Sequence, residues 1–283
     1  MAGVAKRVVL FIVTNLAVVA TVTIILSILG VQPGGVASLA VFSLVWGMGG
    51  AFVSLQMSRW IAKRATGLRL IDGRSGRQEL DWVYVTVERL TRQANLPMPE
   101  VGVYDSPEVN AFATGPSKSR SLVAVSTGLL RSMRPNEVEG VLAHEVAHIA
   151  NGDMVTMTLL QGVINAVVIF FARVIASVLS RNDERPSYIV VFALEIGLGL
   201  LGSLITAWFS RLREFRADRG GAHLAGRENM LGALKRLAAN RELVDPSHQA
   251  LATMKINGTR GWMMFFSTHP PLEQRIAALE QAR

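Results

Sequence analysis

Residues 144–148 read His144-Glu145-Val146-Ala147-His148. Two histidines four apart share one face of an α-helix, so both imidazoles can reach one metal ion. The carboxylate beside the first histidine can reach a water at that ion without taking a ligand position, which is the place of a general base. The flanking residues favour a helix. Pro135 suits a first helical position, Glu137 and Glu139 suit its positive end, and Val138, Val141, Leu142, Val146 and Ile149 supply an apolar stripe. Two histidines merely satisfied in a core helix would leave the adjacent carboxylate unexplained. The pattern therefore points to metal-assisted hydrolysis.

Such a site needs a third protein ligand, and the choices are few. The chain has five histidines and no cysteine, which excludes closed thiolate sites and favours an open one. Glu214 is the best candidate, with Asp218 one helical turn beyond it on the same face. One carboxylate could bind metal while the other accepts a hydrogen bond from a ligand imidazole. The competing reading pairs both acids with Arg211, Arg213, Arg216 and Arg219 on a solvated helix face. His223 is a rival ligand but lacks an orienting carboxylate at helical spacing.

Half the residues are hydrophobic (50%), and the mean hydropathy is +0.34. Four stretches account for this: residues 8–30, 36–58, 154–180 and 188–210. Each reaches the ~20 residues needed to cross a hydrocarbon core. Residues 32–35 form a short turn between the first two, and Glu195 is the one ionisable group in the fourth. The first stretch exceeds the apolar length of a secretory signal, ~7–15 residues, and leads straight into a second span. Arginines and lysines cluster before the first span, after the second and after the fourth, so the positive-inside rule places both termini and residues 59–153 in the cytoplasm. These flanking charges explain most of the net +8. No basic run carries interleaved aromatics, which argues against a nucleic-acid partner.

The spans and the metal motif fit together. His144 stands ten residues before the third span, and Glu214 four residues after the fourth. At ~1.5 Å per residue both lie near one membrane surface, so the hairpin 154–210 delivers the two halves of the site.

The soluble parts divide into residues 59–153, carrying the motif, and 211–283, completing it. Residues 78–96 read as an amphipathic helix ended near Pro97, followed by strand-like runs at 101–104, 110–114 and 122–126 with a turn at 115–119. A small sheet before a metal-binding helix suggests a zincin-like catalytic domain. Asn110-Ala111-Phe112-Ala113 could be the edge along which an extended peptide aligns, or simply a hairpin strand. Helices are expected at 229–239 and 271–282, with a polar, mobile stretch at 240–258. His269, before Pro270-Pro271, could stabilise an oxyanion or lie in the loop that opens a helix with Pro271 as its first residue. The expected fold is a mainly α membrane protein: four transmembrane helices with a zincin-like α+β catalytic domain containing a small sheet. Its parts are a hairpin at 1–58, the motif-bearing part 59–153, a second hairpin at 154–210, and the completing part 211–283.

The stretches 110–115, 122–130, 143–154, 210–218 and 268–272, in this order, resemble the HtpX-type membrane zinc metalloproteases, relatives of the CAAX prenyl endopeptidases. The resemblance spans nearly the whole chain. It implies one Zn2+ per chain on His144, His148 and Glu214, water activation by Glu145, and support of the site by Asp218. It also associates Asn110 and His269 with substrate or transition-state contacts. The implied activity is endopeptidase cleavage of misfolded or damaged membrane proteins at the cytoplasmic side of a bacterial inner membrane under envelope stress. Two rivals remain: a membrane adaptor with a structural zinc site, which the intact Glu145 disfavours, and a small transporter, which the expected lack of paired intramembrane charges disfavours.

Overall fold

The computed structural model describes residues 36–180, 188–244 and 269–282. The expected first span at 8–30, the turn at 32–35, the loop at 181–187 and His248 lie outside them. The described residues fall into two compact units, one within Met1–Ser54 and Thr158–Ser203, the other within Leu55–Met157 and Leu204–Arg283.

Three long helices contribute residues to both units: α1 (Val36–Thr66), α5 (Asp153–Leu179) and α6 (Tyr188–Ala225). Among the described residues these three are long and apolar enough to cross a membrane. Within the first unit, Val41, Leu44, Phe52, Val163, Val167, Phe171, Phe192 and Leu200 are exposed, as lipid-facing side chains are. Here one expectation is corrected. Glu195 is paired, its Oε1 2.9 Å from Arg173 Nη1, and the Arg173 guanidinium also lies over the Phe42 ring at 5.2 Å. A carboxylate in an apolar helix is expensive alone, and the cation one helix away meets that need.

The second unit carries a four-stranded mixed sheet of order β1-β2-β4-β3. Its strands are β1 (Arg69–Ile71), β2 (Glu100–Tyr104), β3 (Ala111–Ser117) and β4 (Arg120–Ser126); β2 and β4 run parallel, the other pairs antiparallel. Leu122, Val123, Ala124 and Val125 are fully buried, consistent with the inner position of β4. The expected turn at 115–119 tightens to Lys118-Ser119, because Gly115 takes φ +145 and a register shift lets strand β3 continue through Gly115-Pro116. Proline is tolerated there because β3 is an edge. Strand β1 was not anticipated. It has three residues and alternates poorly, so its pairing with β2 comes from tertiary context.

Helix α2 (Gln78–Gln93) buries Val83, Val87 and Leu90, spaced for one face, and opens with Glu79 and Asp81 at its positive end. Short α3 (Thr127–Ser132) follows β4 directly, its N-terminus capped by Ser126 Oγ accepting from Leu129 N. Helix α4 (Pro135–Asn151) starts at Pro135, and Glu137 accepts a hydrogen bond from Arg134 N at 2.7 Å. Val138, Val141, Leu142, Val146 and Ile149 on α4 pack with Val83, Val87, Leu90, Val123 and Val125 in one core. Helix α7 (Arg227–Val244) adds Ala233 to that core and packs Met230 and Leu234 against Leu279 of α8 (Leu272–Gln281). Residues 240–244, expected in a mobile stretch, are the end of α7; 245–258 lie outside the described residues. Pro271, expected as the first residue of the last helix, sits one place earlier as its N-cap.

Candidate metal centre

His144 and His148 project from α4, and Glu214 and Asp218 from α6, each pair one turn apart. Helix α6 continues unbroken through both acids, so the fourth apolar stretch and the second half of the site are one helix. His144, His148 and Glu214 each offer an atom within 4.8 Å of the others. His144 Nε2 lies 3.1 Å from His148 Nε2, 3.5 Å from Glu214 Oε2, and His148 Nε2 lies 3.5 Å from Glu214 Oε1.

The outward nitrogens are fixed by carboxylates. His144 Nδ1 lies 2.9 Å from Asp218 Oδ1, and His148 Nδ1 2.6 Å from Asp153 Oδ2. An ionised carboxylate can only accept, so each Nδ1 must donate. That leaves both Nε2 atoms turned toward each other and toward Glu214. Asp153, Glu214 and Asp218 are each 2% exposed, so these acids are committed to the site and not to solvent. Burial opposes charge on His148, yet Asp153 and Glu214 outweigh it and raise its pKa to about 9. Burial likewise opposes charge on His144, and Asp218 with Glu214 again prevails, raising it.

The donor set fits a small dication. Ligand atoms ~2.0–2.1 Å from a tetrahedral ion stand about 3.3–3.4 Å apart, close to the spacings found. Glu214 Oε2 is buried without a hydrogen bond, although Arg275 Nη1 and His269 Nδ1 each lie 3.1 Å away. A buried oxygen with nitrogen groups nearby but no directed donor is suited to ligation. With both imidazoles neutral, as ligation requires, four carboxylates (Glu145, Asp153, Glu214, Asp218) face two guanidiniums (Arg213, Arg275), a formal excess of two negative charges. A divalent ion balances it.

The centre opens into a cavity of about 470 Å³, lined among others by Glu145, Met154, Met157 and Arg213. Asn110, Ala111, Phe112 and Ala113 line the same cavity, the last three on edge strand β3. His269 lines it too, with its side chain 67% exposed. His223 stands apart, exposed in the last turn of α6.

Three residues went unassigned at the level of sequence. Asp153 holds His148. Arg275, from α8, grips Asp218 through Nε at 2.8 Å and Nη2 at 2.5 Å. Arg213 donates from Nη1 to the Asp153 carbonyl at 2.9 Å, tying α6 to the start of α5. A carboxylate just past the motif helix and an arginine on the apolar face of α8 were the available signals.

Residues 77–283 match the family model of Peptidase family M48. A curated relative from Idiomarina loihiensis, "Protease HtpX", is 50% identical over 289 residues, covering 98% of this chain and 100% of that one. A protein of the same name from Shewanella sp. strain W3-18-1 is 51% identical, covering 97% and 99%. Among solved structures, S. mikatae Ste24p matches with a TM-score of 0.60 at 18% identity. That match covers 86% of this chain and 58% of the Ste24p chain, and it speaks to fold alone.

Proposed function

Because the chain belongs to peptidase family M48 and is thus a metalloprotease, we propose that it is an integral membrane zinc endopeptidase whose substrates are misfolded or damaged membrane proteins. In this reading its multi-pass topology places both termini and the catalytic centre on the cytoplasmic side of a bacterial inner membrane. The charge pattern of the sequence supports that orientation, with Arg59, Lys63, Arg64 and Arg69 after one apolar stretch and Arg211, Arg213, Arg216 and Arg219 after another. The observation that carries the chemistry is the pair of imidazoles, each tied at Nδ1 by a buried carboxylate, with both Nε2 atoms turned to Glu214.

His144, His148 and Glu214 would hold the ion, and Asp218 and Asp153 would keep its imidazoles in the ligating tautomer. When bound, zinc supplies Lewis acidity toward a carbonyl and makes water more acidic. Glu145, half-buried on the cavity wall and outside the ligand group, takes the proton of the attacking water and returns it to the leaving amine. Asn110 and strand β3 from Ala111 to Ala113 offer an edge on which an extended peptide can add as a further strand, with main-chain hydrogen bonds and little side-chain selectivity. His269, a solvent-exposed side chain lining the same cavity, would stabilise a developing oxyanion.

The decisive experiment measures zinc content and casein cleavage of the purified protein beside Glu145→Gln. The variant keeps its zinc and loses ~10²–10⁴-fold in turnover. Equal activity would refute the mechanism, and zinc loss would make Glu145 a ligand.

A further inference from the structure

Arg275 is a buried cation, 6% exposed, brought to the centre by a helix that shares no segment with the metal motif. Its fork meets Asp218 with two donors, Nε to Oδ2 at 2.8 Å and Nη2 to Oδ1 at 2.5 Å. The same Oδ1 accepts from His144 Nδ1 at 2.9 Å. The remaining terminal nitrogen, Nη1, stands 3.1 Å from Glu214 Oε2. One planar group thus touches Glu214 and Asp218, one turn apart on α6. Helix α8 is itself held by Leu272, Ile276 and Leu279 packed with Met230 and Leu234 of α7, and by Lys235 Nζ on Glu280 at 2.8 Å.

We propose that Arg275 is a positioning residue of the metal centre: it locks Asp218 in the orientation that fixes His144 as a ligand. This rests on the metal reading above. A carboxylate with two free oxygens and rotatable χ angles would otherwise choose among nearby donors; two parallel charge-assisted bonds remove that freedom. The guanidinium also balances a carboxylate buried beside an anionic ligand, so its removal leaves Asp218 and Glu214 uncompensated. Lysine keeps the charge but not the fork, and the two side chains are not equivalent at such a site. Arg275 acts through the carboxylates it holds, Asp218 by two bonds and Glu214 by one contact, and not on substrate.

The test compares wild type, Arg275→Gln, Arg275→Lys, Asp218→Asn, the double variant Arg275→Gln/Asp218→Asn, and Ile276→Ala as a control that loosens α8 without touching the centre. Two readouts serve: zinc retained against a graded chelator, and the visible spectrum of the cobalt(II)-substituted protein. Arg275→Gln weakens retention by ~10–100-fold, as loss of a supporting group around a ligand does, and changes the cobalt spectrum. Arg275→Lys falls between, and the double variant loses less than the two single losses combined. Ile276→Ala lowers the melting temperature but leaves the cobalt spectrum as in wild type. Retention and spectrum unchanged in Arg275→Gln, or additive losses in the double variant, would overturn the proposal. So would Ile276→Ala reproducing the spectral change, since the effect would then be general loosening of α8. If Arg275→Gln does not fold, Arg275→Lys decides by the same criteria. Wild-type protein holding neither zinc nor cobalt would overturn the metal reading itself, an outcome seen without any variant.

Discussion

Replacing Asp153 with asparagine separates two effects that the structure assigns to one carboxylate. Asparagine keeps the size and can still offer an oxygen to His148 Nδ1. What disappears is the negative charge 2.6 Å from that nitrogen. Without metal, the charge helps hold the His148 pKa at about 9, and metal must displace that proton from Nε2. At pH 7 the displacement weakens apparent affinity by about 100-fold relative to pH above 9, from the two-unit gap. In Asp153→Asn the proton is held less tightly, so this competition shrinks while intrinsic affinity drops ~10–100-fold through the less basic ligand. The expected result is a gap that depends on pH. Zinc affinity, measured by competition with a chromophoric chelator from pH 6 to 9.5, should differ most at the alkaline end and converge toward neutrality. The wild-type curve should also release more protons per metal bound between pH 7 and 9. Two parallel curves would refute the assignment, because Asp153 would then act on metal affinity without acting on the His148 proton.

Glu214→Ala should strip zinc almost completely while His223→Ala leaves it near normal, as metal analysis after equal exposure to a weak chelator would show; the reverse order would dismantle the site. The metal-free protein should lose stability as the solution becomes alkaline. His148 has a folded pKa raised from 6.5 to about 9, so its contribution is fully present below 6.5 and lost as pH rises through 9. The difference corresponds to about 3 kcal/mol, readable as a falling melting temperature in excess chelator. Zinc-loaded protein, whose imidazoles carry no exchangeable Nε2 proton, should show a flatter profile over the same range.

Much of the fold was legible because long apolar runs and helical spacing are local signals. Helices α1, α5 and α6 follow from long hydrophobic stretches, and α4 from Pro135, Glu137 and its apolar stripe. What escaped depended on partners far away in sequence. Strand β1 exists because Arg69–Ile71 meets Val101–Val103, and nothing in three residues announces that. The hairpin turn is expected over 115–119 because Gly115-Pro116 reads as a turn pair, whereas Gly115 with φ +145 serves a bulge on an edge strand and only Lys118-Ser119 turns. The Arg173–Glu195 pair needed two helices to be set side by side.

The same division runs through the site. His144 with His148 and Glu214 with Asp218 are spaced four apart on unbroken helices, so periodicity alone brings each pair to one face. Asp153 obeys no such rule. On a continuous helix, a residue five places after His148 would point about 140° away from it. It reaches His148 Nδ1 because α4 stops at Gly152, which takes the left-handed conformation at φ 69, and a new helix starts at once with Asp153. Glycine adopts that conformation without the steric penalty a side chain would bring. The letters Asn151-Gly152-Asp153 therefore encode a ligand support through a break in the helix, not through its period. A change of Gly152 to a β-branched residue would be felt at the metal centre through Asp153, although Gly152 itself touches none of its ligating atoms.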